Sequence, residues 1–188
     1  METAISILWR GLFFAGHESC RLRSAGDEWH LDGTAVFSHE QRPCCLSYHI
    51  VCDGTWRTHS TQVEGWLGGE SIDLHIRTDL DGHWWMNEVE QPQVAGCTDI
   101  DLNFSPSTNL LPIRRLGLGV GETGEVNAAW LRFPSFKLER LSQQYRRLDE
   151  NLYSYESAGG QFVAELKVNS SGFVIEYPNL WQAEASAE

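Results

Sequence analysis

The hydrophobic pattern of this chain repeats every two residues over much of its length. Residues 71–77 alternate polar and apolar side chains, and residues 46–52, 100–104 and 162–168 do the same. Successive side chains of a β-strand point to opposite faces of a sheet, so each stretch predicts a strand with one buried face. Asp-Gly and Gly-Gly pairs between the stretches predict tight turns. The pattern therefore predicts an all-β fold built on an antiparallel sheet.

One short stretch predicts a helix. In SPSTNLLP, residues 105–112, Ser105 can cap a helix and Pro106 can occupy its first position. We expect Pro112 to end this helix after little more than one turn. Residues 136–152 contain many helix-forming side chains but lack a clean apolar stripe, so we predict a strand there.

The composition is typical of one globular domain. Of the 188 residues, 41% are hydrophobic and 21% are charged, which is enough for one core. We expect a single domain of residues 1–181 and a frayed tail of residues 182–188. The stretches around Tyr48 and Tyr145 are faintly similar, and an internal duplication of a β unit is one interpretation.

The charge balance limits the partners. Asp and Glu number 26 against 14 Lys and Arg, which gives a net charge of −12 at pH 7. This charge repels phosphate backbones and anionic bilayers, so we expect no nucleic-acid partner. The apolar residues 4–16 are interrupted by Arg10 and fall short of the roughly 20 residues that span a bilayer, so we expect an opening strand and no stable membrane insertion. Five cysteines without framework spacing favour reduced thiols and a cytoplasmic protein.

Two short motifs match cofactor or metal sites but fail on context. GVGETG, residues 119–124, has the glycine spacing of a dinucleotide-binding loop, yet no helix cap follows it and Glu122 would place a negative charge beside a phosphate. We predict a hairpin turn there. The cysteines and the histidine of CCLSYHIVC, residues 44–52, suit zinc, but strand alternation divides them between two faces. We therefore expect no cofactor and no metal site.

The eight tryptophans are an excess, and two of them are adjacent. Trp84 and Trp85 must point to opposite faces of a strand. One interpretation places one ring in the core and the other at a dimer interface, where aromatic residues are enriched. The other interpretation is a platform that stacks on a sugar ring or lines an acyl pocket.

The most informative stretch is GCTDIDLNFSPSTNLLPIRRLGL, residues 96–118. Asp99 and Asp101 share one face of a predicted strand, with their carboxylates roughly 7 Å apart. Arg114 and Arg115 follow after a turn and can pair with carboxylates. One interpretation is an ion network that fastens the helix to the sheet. The other leaves one arginine free to bind a phosphate or carboxylate head group.

This stretch resembles a family of bacterial proteins described as glycolipid-binding and long classed as domains of unknown function. The likeness extends over nearly the whole chain, through Glu18, YHIVCDGTWRT and the closing SSGFVIEYPNLW with Tyr177, Pro178 and Trp181. Leu110 and Asn169 depart from the family pattern, which has threonine and aspartate there. The matching residues are Gly96, Cys97, Asp99, Asp101, Leu102, Ser105, Pro106, Thr108, Asn109, Leu111, Pro112, Ile113, Arg114, Arg115 and Leu116.

The resemblance implies an antiparallel spiral β-roll, in which a many-stranded sheet wraps around one short helix, and a homodimer. It also implies an architecture similar to that of bacterial lipoprotein carriers, which hold acyl chains in an open half-barrel. A curved sheet of this kind offers an apolar concave wall, where each buried methylene contributes about 0.8 kcal/mol.

Three hypotheses of function follow. The first is a non-catalytic carrier or sensor of a glycolipid or other amphiphile. The second is a small cofactor-free enzyme that uses Asp99, Asp101, Arg114 and Arg115, and the third is a dimeric structural or interaction protein. We expect the first, with no catalytic residues. The expected ligand-binding residues are Asp99, Asp101, Asn109, Arg114, Arg115, Trp56, Trp84 and Tyr177.

Overall fold

The computed structural model describes residues 4–187, which form one sheet of 15 strands around one short α-helix. Fourteen strand pairings build this sheet within residues 4–187, and all but one are antiparallel. The predicted all-β fold is thereby confirmed.

The strands are named in chain order. They are β1 (Ala4–Gly11), β2 (Gly16–Ala25), β3 (Glu28–His39), β4 (Arg42–Cys52), β5 (Thr58–Leu67), β6 (Glu70–Thr78), β7 (Trp84–Met86), β8 (Val89–Glu90), β9 (Asp99–Leu102), β10 (Thr123–Arg132), β11 (Lys137–Asp149), β12 (Leu152–Ser157), β13 (Phe162–Val168), β14 (Val174–Tyr177) and β15 (Trp181–Ala187). The helix α1 is Leu110–Leu116, and 3₁₀ turns cover Pro92–Val94, Ser107–Asn109 and Ala158–Gly160. Within residues 4–187, no helix is long and apolar enough to cross a membrane.

Two arms of the sheet meet where the first and last strands pair. One arm runs in sequence order from β1 to β8, and the other runs backwards from β15 to β9. Ser6 of β1 pairs with Ala187 of β15. Residues 182–187 are therefore paired sheet, and the expected frayed tail is wrong for this part of the chain. The strand predicted in residues 136–152 is β11.

The sheet curls until its β9 edge reaches the opposite arm. The Thr58 N–H donates to the Thr98 carbonyl at 3.1 Å, and the Ile100 N–H donates to Thr58 Oγ1 at 2.9 Å. β9 pairs in parallel with β10, since the chain passes through the interior between them. The sheet is not closed, so its shape is an open spiral.

The chain between β9 and β10 carries what we call the central segment, residues 105–116. Ser105 Oγ accepts the Ser107 N–H at 3.1 Å, just before the 3₁₀ turn that leads into α1. The prediction that Pro112 ends the helix is wrong. Pro112 lies in the first turn of α1, where its missing N–H has no helical acceptor to lose. The helix ends instead at Gly117, whose φ of 54° is left-handed.

The central segment fills the concave side of the sheet. Leu110 and Leu111 are fully buried and Ile113 is 5% exposed, all within the core. From β4, Leu46 and Ile50 face the same core, in agreement with the predicted alternation. The interior is therefore occupied by the protein's own side chains, and the open acyl-binding hollow implied by the resemblance is wrong.

The glycine-rich residues 119–124 form a tight turn. The Glu122 N–H donates to the Gly119 carbonyl at 3.0 Å, and Gly121 has a φ of 90°. The turn connects α1 to β10, and β10 pairs with β9 and β11, so the predicted hairpin is wrong. The carboxylate of Glu122 accepts the Gly119 N–H at 2.7 Å, which occupies an amide that a phosphate would need.

Gly33 of β3 lies directly against the ring of Tyr48 on β4. A Cβ at Gly33 would overlap the Tyr48 ring, whereas one at Gly69 would meet nothing within 4 Å. We expect Gly33→Ala to lower the free energy of unfolding by about 1–3 kcal/mol, because the Tyr48 ring must shift. Urea unfolding measures the effect, with Gly69→Ala as the control. Equal midpoints for the two variants would contradict this packing.

Candidate functional site

Arg115 and Asp99 form a buried ion pair between α1 and β9. The Arg115 Nε lies 3.0 Å from Asp99 Oδ1, and Arg115 Nη2 lies 2.6 Å from Asp99 Oδ2. The side chain of Asp99 is 1% exposed and that of Arg115 is 16% exposed. Thr98 Oγ1 donates a further hydrogen bond to Asp99 at 2.8 Å. This geometry makes the pair a strut that fastens the helix to the sheet.

Asp101 is not part of that ion pair. Its Oδ2 accepts from Gln143 Nε2 at 2.6 Å, and the same Nε2 lies 3.1 Å from the hydroxyl of Tyr155. Burial raises the pKa of Asp101 to about 6, the Gln143 hydrogen bond opposes the rise and the charge of Asp99 adds to it. The interpretation of an ion network that fastens the helix to the sheet therefore applies to Arg115 and Asp99, whereas Asp101 accepts from an amide and not from an arginine.

Arg114 points away from both aspartates. Its guanidinium lies 5.1 Å from the ring of Trp56, which stacks on Trp29 at 4.4 Å. None of the ion pairs within residues 4–187 includes Arg114. Arg114 and Trp56 line an open cleft of about 560 Å³ together with Arg147, whose guanidinium donates to the carbonyls of Leu118 and Glu150. We call this the arginine cleft.

Trp84 is unsuited to stacking on a ligand, and its prediction as a ligand-binding residue is wrong. Its side chain is fully buried, and its Nε1–H donates to the carbonyl of Cys97 at 3.2 Å. Trp85 points to the other face, with the Arg77 guanidinium 4.1 Å from its ring. The alternation predicted that one of the two rings lies in the core, but it could not predict which of the two it is.

A second cavity of about 360 Å³ lies between the central segment and the strands β12 to β15. We call it the aromatic pocket. Its polar side is formed by Asp101, Ser105 and Asn109, and its aromatic side by Tyr155, Tyr177 and Trp181. The pocket is therefore lined by a carboxylate, a hydroxyl and an amide together with three aromatic side chains.

The polar side of the pocket is rigidly held. Asn109 Oδ1 accepts from the Tyr145 hydroxyl at 2.9 Å, and Asn109 Nδ2 donates to the Pro106 carbonyl at 3.1 Å. Tyr177 pairs with Trp181 across β14 and β15 and lies 6.3 Å from Tyr155, ring to ring. These contacts fix both sides of the pocket before any ligand arrives.

An apolar rim borders the aromatic pocket. Phe162 lines the pocket and is 37% exposed, while Leu12 and Phe13 are 44% and 69% exposed. The Leu12 N–H donates to the carbonyl of Leu180, a lining residue, at 2.9 Å. Phe13 packs on Phe14, which in turn packs edge-on against the pocket residue Trp181. We use "apolar rim" for Leu12, Phe13 and Phe162.

The structure thus separates the expected site residues into four places. Asp101, Asn109 and Tyr177 meet in the aromatic pocket, Trp56 and Arg114 line the arginine cleft, Asp99 and Arg115 form the strut, and Trp84 lies in the core. Sequence reasoning did not name Ser105, Tyr155 or Trp181 as ligand-binding residues, although all three line the pocket. Tyr155 shares the buried face of β12 with Tyr153, as period-two alternation predicts, but its position beside Asp101 depends on the pairing of β11 with β12.

The residues best placed for a metal are in an exposed turn. Ligand atoms of Asp79, Asp81 and His83 lie within 4.8 Å of one another. Asp79 Oδ1 accepts the backbone N–H groups of Asp81 and His83, and Asp79 Oδ2 contacts the His83 ring at 3.1 Å. These contacts account for the shape of the turn, and we assign no metal to it.

The two adjacent arginines predict opposite mutational effects. Arg115→Ala leaves Asp99 buried without a counter-charge and should lower the free energy of unfolding by about 3–5 kcal/mol. Arg114→Ala removes one exposed cation–π contact and should cost about 1 kcal/mol or less. Urea unfolding of both variants measures the difference, and each serves as the other's control. Similar losses for both would contradict the assignment of Arg115 as the strut.

Comparisons with known proteins agree with this fold. The sequence profile described as "Putative glycolipid-binding" matches residues 6–183. No curated protein matches the chain. The crystal structure of a DUF1089 family protein from Pseudomonas aeruginosa is 34% identical, with a TM-score of 0.76 over 88% of this chain and 91% of that chain.

A more distant similarity shows the fold alone. A beta-barrel-like protein of the domain of unknown function DUF1849 from Brucella abortus has a TM-score of 0.57 at 6% identity, over 97% of this chain and 96% of that chain. The profile match, in contrast, spans nearly the whole sequence and includes the strut, the central segment and the aromatic pocket. The chain belongs to the family that the glycolipid-binding profile defines.

Proposed function

We propose that the aromatic pocket binds the sugar head group of a glycolipid or a similar neutral amphiphile, and that the protein is a non-catalytic carrier or sensor. The observation that carries the proposal is that one cavity is lined by a partly buried carboxylate, Asp101, and by the aromatic side chains of Tyr155, Tyr177 and Trp181. The family description agrees with this class of ligand.

The chemistry of the pocket matches a sugar ring. A carboxylate oxygen and an amide accept and donate hydrogen bonds to hydroxyl groups, and aromatic faces pack against the apolar C–H face of the ring. At pH values above about 6, Asp101 is ionised and accepts hydrogen bonds without offering a proton of its own. Hydrogen bonds to a charged acceptor are about twice as strong as neutral ones, so Asp101 is the principal contact.

The volume and the charge narrow the ligand further. At roughly 30 Å³ per water-sized group, a cavity of about 360 Å³ holds about a dozen such groups, close to the size of one hexose. The chain carries a net charge of −12 and the pocket contains Asp101. Both disfavour a phosphorylated or sulfated head group in this pocket.

The apolar tail has a different location from the one that the resemblance implied. The concave side of the sheet is filled by residues of α1 and the core. The apolar rim, formed by Leu12, Phe13 and Phe162, is exposed beside the mouth of the pocket. A tail that leaves the pocket there removes apolar rim surface from water, at about 25 cal/mol per Å². The proposal therefore places the head in the pocket and the first part of the tail on the rim.

The alternative of a cofactor-free enzyme has no observation in its favour. Its four residues are divided, because Asp99 is neutralised by Arg115 and Arg114 lies in the arginine cleft. The proposed binding role needs one copy of the chain, and a cytoplasmic homodimer remains an expectation from the sequence.

Titration with n-octyl-β-D-glucoside below its micelle concentration tests the proposal. We expect Asp101→Asn to weaken binding by roughly 10-fold to 100-fold, because the charged acceptor is lost while the Gln143 contact is kept. Phe162→Ser should weaken binding less, through loss of tail contact. Calorimetry or tryptophan fluorescence measures both.

Two controls make this test specific. Leu80→Ser changes an exposed leucine in a distant turn and should leave the affinity unchanged. An octyl amphiphile with an ethylene-glycol head should bind at least 10-fold more weakly than the glucoside. Equal binding of the two amphiphiles, or an unchanged affinity in Asp101→Asn, would show that the pocket does not recognise the sugar.

A further inference from the structure

Behind the floor of the aromatic pocket lies a carboxylic acid that no cation neutralises. Glu18 of β2 is 0% exposed, and none of the ion pairs within residues 4–187 includes it. Its neighbours across the sheet are Trp9 on β1 and Ala35 on β3. The titratable groups that face it are Tyr48 from β4 and Cys20 from its own strand. Every partner of Glu18 is thus a neutral group.

Glu18 belongs to a ring of four oxygen atoms. Its Oε1 lies 2.5 Å from the Tyr48 hydroxyl and 2.5 Å from Ser105 Oγ. Ser107 Oγ closes the ring, at 2.7 Å from the Tyr48 hydroxyl and 2.7 Å from Ser105 Oγ. All four distances are within the range of O–H···O hydrogen bonds. Each of them therefore requires one proton between its two oxygens.

The number of protons decides the charge of Glu18. The hydroxyls of Tyr48, Ser105 and Ser107 supply three protons for four contacts. If Glu18 were ionised, one pair of oxygens would be in contact with no proton between them. A proton on Oε1 supplies the fourth, and within the ring each oxygen then donates one hydrogen bond and accepts one; Ser105 Oγ accepts the Ser107 N–H in addition. The geometry is complete only for a neutral acid.

Two further properties of the site agree with a neutral acid. Glu18 Oε2 is buried and has no hydrogen-bond partner within residues 4–187. An unpartnered carbonyl oxygen of an acid costs less than an unpartnered oxygen of a carboxylate. Burial raises the pKa of Glu18 to about 8, although the hydrogen bonds from Ser105 and Tyr48 oppose the rise.

We propose that Glu18 is a neutral acid whose proton locks the central segment to the sheet, and that loss of this proton opens the aromatic pocket and releases its ligand. Ser105 connects the two sites, because it belongs to the ring and also lines the pocket. Asn109, four residues further on, lines the pocket as well. The second half of this proposal, ligand release, rests on the proposed function; the first half does not.

The proton on Glu18 makes the stability of the fold decrease as the pH rises. The carboxyl pKa is about 8 in the folded protein against an ordinary value of 4.5, so the folded state holds a proton that the unfolded state has lost. The stability that this proton contributes is fully present below pH 4.5 and is lost as the pH rises towards 8. Between these values, the folding equilibrium constant falls by roughly tenfold per pH unit from Glu18 alone.

Urea unfolding of wild type and Glu18→Gln between pH 5 and pH 9 tests the lock. The amide is isosteric with the neutral acid and cannot ionise, so its folding equilibrium constant should not show the loss of roughly tenfold per unit. The contribution of Asp101 is common to both proteins and cancels in the difference. Glu165→Gln, an exposed matched control, should follow the wild type. Parallel profiles for wild type and Glu18→Gln would overturn the proposal.

Infrared spectroscopy of the wild type tests the protonation of Glu18 without any variant. The carbonyl stretch of a protonated carboxylic acid should persist at pH 7, where Asp101 is ionised, and should disappear as the pH passes about 8. Absence of this band at pH 7 would overturn the neutral acid even if Glu18→Gln failed to fold.

Ligand release is tested by the octyl glucoside affinity over the same pH range. Wild type should lose at least tenfold between pH 7 and pH 9, and Glu18→Gln should not. Equal pH dependence of the two proteins would overturn the coupling between Glu18 and ligand release. The neutral state of Glu18 itself is decided separately, by the infrared measurement. Absence of binding to either protein at any pH would refute the proposed function itself, and with it the ligand-release half, but not the neutral acid.

Discussion

The architecture depends on polar contacts that hold the central segment inside the curled sheet. Arg115 reaches Asp99 on β9 through a bidentate pair, and Tyr145 on β11 donates to Asn109. On the opposite arm, Glu18 and Tyr48 contact the serines at the start of the segment. Removing one partner of such a buried contact leaves the other unsatisfied, at a cost greater than the contact itself contributes. The segment therefore fixes how far the two arms curl.

This constraint also explains where the proposed ligand site lies. Because apolar residues of α1 occupy the concave side, the interior has no room for the acyl chain that the fold alone would imply. What remains open is the boundary between the segment and the strands β12 to β15, where polar groups of the segment meet aromatic rings of the sheet. The same side chains that fasten the segment thus provide the polar floor of the pocket.

Local patterns in the sequence predicted the features that depend on neighbouring residues. Alternation identified the strands and divided CCLSYHIVC between two faces. The extent of the helix was misjudged because the cost of Pro112 depends on where the helix begins, and the 3₁₀ turn at residues 107–109 moves that start to Leu110.

Features that depend on distant pairing were not predictable in the same way. Asp99 and Asp101 look equivalent in the sequence, yet α1 supplies a cation to one and β11 supplies an amide to the other. Arg114 and Arg115 are separated by the direction in which the helix presents each side chain. Glu18 stood out only through the family resemblance, since its two hydroxyl partners, Tyr48 and Ser105, lie 30 and 87 residues away in the sequence.

Photo-crosslinking with a neutral glycolipid that carries a diazirine on its sugar tests the central claim most directly. With the interior filled, the proposal places the head group in the aromatic pocket and not in the core. The account predicts crosslinks to peptides that contain Asp101, Tyr155 and residues 177–181, and competition by octyl glucoside. Crosslinks confined to the arginine cleft, or to core residues of the concave side, would contradict it.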